Sequence, residues 1–171
     1  MKKILVFIMS ILILSALAYA KEENKSFTFT DTSGKVYHAK GTKDGIIINE
    51  LKNKIVFLEF FGHKCPPCLA SIPHYKNLQT KHKNNIEVIG IEVQGFSNAE
   101  LKAFAQTKGI NYPTVSQEKA GYFVSYIAER ANWTGAIPFV VVIDKKGVVQ
   151  FIQAGMITPA GMETIIKEIS K

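Results

Sequence analysis

Along the chain, apolar residues fall into short dense blocks separated by turn-forming residues. Ile4 to Leu17 is almost unbroken, and residues 4–20 make a 17-residue apolar run holding two serines. Phe27-Thr28-Phe29-Thr30 and Gly34-Lys35-Val36-Tyr37 flank a turn near Ser33-Gly34, the pattern of a β-hairpin. Ile55 to Phe61 is an uninterrupted run of β-formers and predicts a central buried strand. After the turn Gly62-His63-Lys64, the stretch from Pro66 to about Lys81 can be helical, because prolines are tolerated in a first turn whose amides lack intrahelical partners. Ile86 to Val93 predicts another strand. Ser97 caps a helix from about Asn98 to Lys108, ended by Gly109, and residues 118–131 predict one more. Lys145-Lys146-Gly147 turns the strand Phe139–Ile143 back into Val148–Phe151, and Thr158-Pro159 opens a C-terminal helix to Lys171. Strands alternating with helices, then a hairpin and a helix, predict one three-layer α/β domain over residues 21–171.

The first apolar block stands apart from this alternation. It follows a basic start, Met1-Lys2-Lys3, and ends in the A-x-A pattern Ala18-Tyr19-Ala20. That is the form of a secretory signal peptide, residues 1–20, cut after Ala20. An uncleaved anchor in the inner membrane is the alternative, although 17 residues is at the short edge of a spanning helix. The expected location is the periplasm. The 171 residues are 47% hydrophobic and 20% charged, too apolar for a disordered chain. The formal charge is +7, and without Lys2 and Lys3 it is +5, from 19 basic against 14 acidic residues. These positives are scattered rather than gathered in a basic stripe with aromatics, so no nucleic-acid partner is expected.

Two cysteines remain, Cys65 and Cys68, so Cys65–Cys68 is the one intramolecular disulfide possible. A bridge closing so short a loop is a poor staple, and the pair is better explained by chemistry. Haem attachment would need His next, and residue 69 is Leu. A zinc site would need about four ligands; His63 could add one, but His38, His74 and His82 have no motif spacing, so no metal is expected. Redox exchange needs only the pair, with one sulfur exposed and its thiolate stabilised. Cys65, before a helix N-terminus, is the expected nucleophile, and Cys68, one turn further in, the resolving thiol. No cofactor beyond this redox-active disulfide is expected.

The strand, the C-x-x-C, a helix carrying Pro73, and Ile137-Pro138 before the strand Phe139–Ile143 together resemble the thioredoxin superfamily. The resemblance covers essentially all of residues 21–171. It implies a thioredoxin-like fold with a central mixed sheet flanked by helices, and a cis-proline at Pro138 facing the cysteines. It also implies a buried acid six residues before the first cysteine, which is Glu59, taking or returning the proton of Cys68. The Ile137 backbone would then offer an edge to an extended substrate segment. The N-terminal hairpin and an extra element between Cys68 and Pro138 are more similar to the periplasmic TlpA/ResA/CcmG branch than to a minimal thioredoxin. Leu58-Glu59-Phe60-Phe61 followed by Cys65-Pro66 is also similar to the DsbA-type oxidants. Lys64 stands where thioredoxins carry Trp; Lys64 and His63 could lower the pKa of Cys65, or point into solvent. Trp133 could line the substrate groove or pack in the core.

The TlpA-like resemblance implies a thiol:disulfide oxidoreductase that reduces disulfides in cysteine-containing periplasmic proteins, apocytochrome c among the candidates. A CcdA/DsbD-like membrane donor would recharge it. The DsbA-like alternative is an oxidant recharged by a DsbB-like partner, and a copper-handling protein using the pair as soft ligands is a third reading. Pro66-Pro67 removes two N–H donors from the neighbourhood of a Cys65 thiolate and tilts the expectation toward the reductant, whereas Lys64 and His63 argue the other way. Nothing in the sequence suggests a dimerisation domain, so a monomer is expected.

Overall fold

A computed structural model describes residues 25–170; the expected signal peptide, residues 1–20, lies outside them. The chain forms β1 (Ser26–Thr30), β2 (Val36–Gly41), β3 (Ile46–Ile48), a 3-10 turn (Asn49–Leu51), β4 (Ile55–Phe61), α1 (Pro66–His82) and β5 (Ile86–Glu92). It continues through α2 (Asn98–Lys108), β6 (Thr114–Ser116), α3 (Gln117–Arg130), β7 (Phe139–Ile143), β8 (Val149–Ala154) and α4 (Pro159–Ile169). Five strands make a mixed sheet in the order β6-β5-β4-β7-β8. In it β4 runs parallel to β5 and antiparallel to β7. The first three strands form a separate antiparallel sheet in the order β1-β2-β3.

Because β4 is the central strand with both faces covered, all seven of its residues are buried, and its sequence is apolar at every position but Glu59 rather than alternating. The pleat still sorts its side chains. Val56, Leu58 and Phe60 join Phe29, Tyr37 and Phe123 in a core beneath the small sheet and α3. Ile55 and Phe57 join Tyr75, Leu78, Val140 and Met162 beneath α1 and α4. Phe61, at the end of the same row, packs with Cys65, Cys68 and Leu101 in a third cluster. Glu59 therefore falls on the α1 face, between Phe57 of one cluster and Phe61 of the other.

Local signals hold where they are strong. Ser97 caps α2 through a reciprocal capping box with Glu100, and Gly109 ends that helix in the left-handed conformation at φ 57°. Two three-residue strands were not readable from periodicity. Ile46–Ile48 adds a third strand to the expected hairpin, and Thr114–Ser116 adds an edge strand beside β5. Three residues are too few to display a period of two, and both strands owe their form to the neighbours that pair with them. With α2 and α3, β6 makes up the expected extra element between Cys68 and Pro138.

Candidate active site

The end of β4 delivers the chain through the short turn Gly62-His63-Lys64 into α1, and Cys65 is the last residue before the helix. It caps the helix, with Pro66 and Pro67 in the first turn, and its sulfur accepts the Cys68 N–H at 3.3 Å. Since the two prolines lack N–H groups, Cys68 supplies the one amide of the first three positions that can reach the sulfur. Cys65 and Cys68 are joined as a disulfide, with Cys68 fully enclosed and Cys65 7% exposed. On its outer side Cys65 Sγ lies 3.9 Å from the Ile137 carbonyl oxygen. The Ile137–Pro138 peptide is cis, and Ile137 packs partly buried against the cysteine cluster. Pro138 itself is tied onward, its carbonyl accepting the Gly155 N–H at 2.7 Å.

Glu59 lies behind the pair with no exposed surface. Its Oε1 is 2.7 Å from the Ser71 hydroxyl, and its Oε2 has no hydrogen-bond partner. Burial pushes its pKa up to about 8, against the smaller opposing effect of the Ser71 hydrogen bond. Tyr75 and Tyr112 are held well above the ordinary tyrosine value, first by their own burial and then by the charge that Glu59 would carry. The neighbouring strands contribute Gly90 and Val140 opposite Glu59, neither of which brings a polar side chain.

His63 and Lys64 are not among the hydrogen-bonding neighbours of Cys65. The His63 ring stacks on Phe96 at 3.6 Å, with Nδ1 2.8 Å from Glu92 Oε1. Lys64 is exposed, and its backbone N–H donates to Gln94 Oε1 at 2.8 Å. Trp133 has the packing half of its expected use: its ring lies 4.9 Å from Phe60 and 5.0 Å from Phe139, which face each other across β4 and β7. Its indole N–H donates to the Ala136 carbonyl at 2.7 Å, which steadies the segment leading into Ile137.

Three residues around the cysteines went unread in the sequence. Glu92 is fully buried at the end of β5 and accepts the N–H groups of Gln94 and Phe96 as well as facing His63. Gln94 joins that loop to the one carrying Cys65. Ser71 is the third. The signal for Glu92 was the one that revealed Glu59, an acid closing an apolar strand, and for Ser71 it was a hydroxyl three residues after Cys68 on the same helix face. Among the described residues, no group of three or more His, Cys, Asp or Glu side chains is arranged to hold a metal ion.

The AhpC/TSA family profile matches residues 22–152. The chain belongs to that family. Over 155 residues it is 24% identical to the thiol-disulfide oxidoreductase ResA of Halalkalibacterium halodurans, covering 90% of this chain and 79% of that protein. A solved thiol:disulfide interchange protein of the thioredoxin family from Chlorobium tepidum TLS superposes with a TM-score of 0.72 at 24% identity, over 87% of this chain and 96% of the other. A secreted Mycobacterium tuberculosis disulfide oxidoreductase homologous to E. coli DsbE superposes with a TM-score of 0.61 at 18% identity, over 83% and 95%. The fold is thus thioredoxin-like, and this member of the thioredoxin superfamily is a ResA-like thiol:disulfide oxidoreductase.

Proposed function

We propose that this oxidoreductase works outside the cytoplasm and in the reducing direction, on disulfides of other proteins. The carrying observation is the first turn of α1, where one N–H, that of Cys68, reaches the Cys65 sulfur. A thiolate with few donors is a stronger base and a better reductant, because its reduced form is less favoured. His63, engaged with Glu92, adds no hydrogen bond to Cys65.

In the proposed cycle the Cys65 thiolate attacks one sulfur of a substrate disulfide. The substrate's other sulfur leaves as a thiolate and takes a proton from water. Cys68 then gives its thiol proton to the Glu59 carboxylate, and its sulfur attacks Cys65 Sγ. The bond from Cys65 to the substrate breaks, the second substrate thiolate leaves, and it takes up the proton that Glu59 held, through water. Two electrons pass from the Cys65–Cys68 dithiol to the substrate, and the disulfide state of the protein results. Ile137 lies beside Cys65, and its backbone can take an extended substrate segment as an added strand edge.

The substrates that suit this reading are cysteine-containing extracytoplasmic proteins, apocytochromes c among them. Recharging then requires a membrane dithiol donor of the CcdA/DsbD type, acting on a monomer. The ResA and DsbE names of the relatives support these assignments. The test is the Cys65–Cys68 reduction potential against dithiothreitol or glutathione buffers. A value of roughly −270 mV or below is expected; a value of roughly −120 mV would make the protein a DsbA-like donor of disulfides.

A further inference from the structure

Ser71 is 1% exposed, and its Oγ lies 2.7 Å from Glu59 Oε1 and 2.8 Å from the Cys68 carbonyl oxygen. A serine hydroxyl carries one hydrogen, so it cannot donate to both oxygens together. When Glu59 is ionised its oxygens only accept. Ser71 must then turn its hydrogen to Glu59, leaving two oxygens facing each other at the Cys68 carbonyl. When Glu59 is protonated, the carboxylic acid donates to Ser71 Oγ and Ser71 donates onward to Cys68. Both short contacts are then hydrogen bonds.

We propose that Ser71 is a positioning residue acting as a two-position donor, which transmits the protonation state of Glu59 to the backbone of Cys68. The inference rests on the exchange cycle proposed above and adds to it a link between the proton and the resolving cysteine. The complete chain, acid to hydroxyl to carbonyl, belongs to the protonated acid. Oxidised protein, the state seen here with Cys65 and Cys68 joined, is the state in which the proton of Cys68 has just been given up. Burial holds that proton on Glu59, and the hydrogen that Ser71 offers the carboxylate works against burial and helps Glu59 yield the proton to the departing substrate thiolate. In the reverse sense, loss of the proton takes a hydrogen bond from the carbonyl of Cys68 itself.

The groups around Glu59 leave this link unopposed. Tyr75 from α1 and Tyr112 from the segment before β6 are the ionisable side chains electrostatically coupled to it, and both stay neutral. Gly90 of β5 and Val140 of β7 face it from the flanking strands and carry no charge. Ser71 is the hydrogen-bond partner of its carboxyl among the described residues.

The test uses carbon-13-labelled oxidised protein and follows the Glu59 carboxyl carbon and the Cys68 carbonyl carbon across the pH range around 8, where Glu59 titrates. In the wild type the two carbons should move with one midpoint. In Ser71→Ala the Glu59 midpoint should rise by about one pKa unit, a tenfold loss of acidity, for want of a donor to the carboxylate. The Cys68 carbonyl should lose most of its change, and Ser71→Thr should restore both. Glu59→Gln supplies a second measurement with Ser71 intact. Its amide N–H group donates to Ser71 at every pH, so the Cys68 carbonyl should stay at the acid-form shift. A Cys68 carbonyl that titrates with full amplitude in Ser71→Ala, or still titrates in Glu59→Gln, overturns the proposal. Failure of the exchange reading registers separately, as wild-type protein that reduces no protein disulfide while the two carbons still titrate together.

Discussion

Replacing Glu59 by Gln should stabilise the oxidised protein, and by an amount that grows with pH. The carboxyl is fully buried, its Oε2 has no partner, and its pKa rises from an ordinary 4.5 to about 8. Below pH 4.5 the group is neutral in both the folded and unfolded chain, and the substitution is close to neutral as well. Between 4.5 and about 8 the unfolded chain has lost the proton while the folded one keeps it. The folded state then binds more protons, so wild-type stability falls as pH rises, and it levels off above about 8. At about 1.4 kcal/mol for each tenfold, the whole interval corresponds to roughly 5 kcal/mol, and relaxation around a buried charge will bring the observed figure toward half of that. Gln fills the same volume and can donate to Ser71, so the variant should keep the packing and lose the slope. Urea unfolding of the oxidised wild type and Glu59→Gln, measured in steps from pH 5 to pH 9, reads the difference directly. Every other ionisable side chain is common to the two proteins and cancels, and the disulfide keeps both cysteines out of the titration. A stability difference that does not change across this range would refute the reasoning and return Glu59 to a carboxylate solvated by its surroundings.

The remaining predictions concern the exchange itself and the loops that frame it. Cys65→Ser should abolish turnover, whereas Cys68→Ser should accumulate mixed disulfides through Cys65; non-reducing gels that trap nothing with Cys68→Ser would reverse the assigned order of attack. Pro67→Ala restores an amide at the second helical position, and one more donor to the Cys65 thiolate should raise the reduction potential by about 30 mV or more. An unchanged or lower potential in glutathione buffers would remove the first-turn argument for a reductant. Glu92→Gln should cost about 2 kcal/mol, because the buried carboxylate accepts the Gln94 and Phe96 N–H groups and faces His63. Faster hydrogen exchange at the amides of Gln94, Phe96 and Lys64 is the local readout, and exchange rates equal to the wild type would show that the loops hold without it.

What could be read in the sequence was whatever depends on one segment. The apolar run Ile55–Phe61 required a strand covered on both faces, and Glu59 stood out because a carboxylate there interrupts seven buried positions. Pro66-Pro67 after Cys65 required a helix beginning at the cysteine, and the first turn is built that way. The parts that could not be read depend on two segments meeting. His63 looked free to act on Cys65 because its partner, Glu92, lies 29 residues further on, at the end of the adjoining strand. Parallel pairing of β4 with β5 brings the two strand ends side by side, Phe61 opposite Glu92, so His63, two residues past the end of β4, comes up against Glu92. The same register gives Ser71 its place. Residues on the α1 face of β4 look up at the helix that β4 itself delivers, so an acid six residues before Cys65 and a hydroxyl six residues after it meet at 2.7 Å. Sequence alone marks Glu59 as anomalous. The pairing of strand with following helix turns that anomaly into a proton held next to the resolving cysteine, with a single hydrogen on Ser71 reporting where it is.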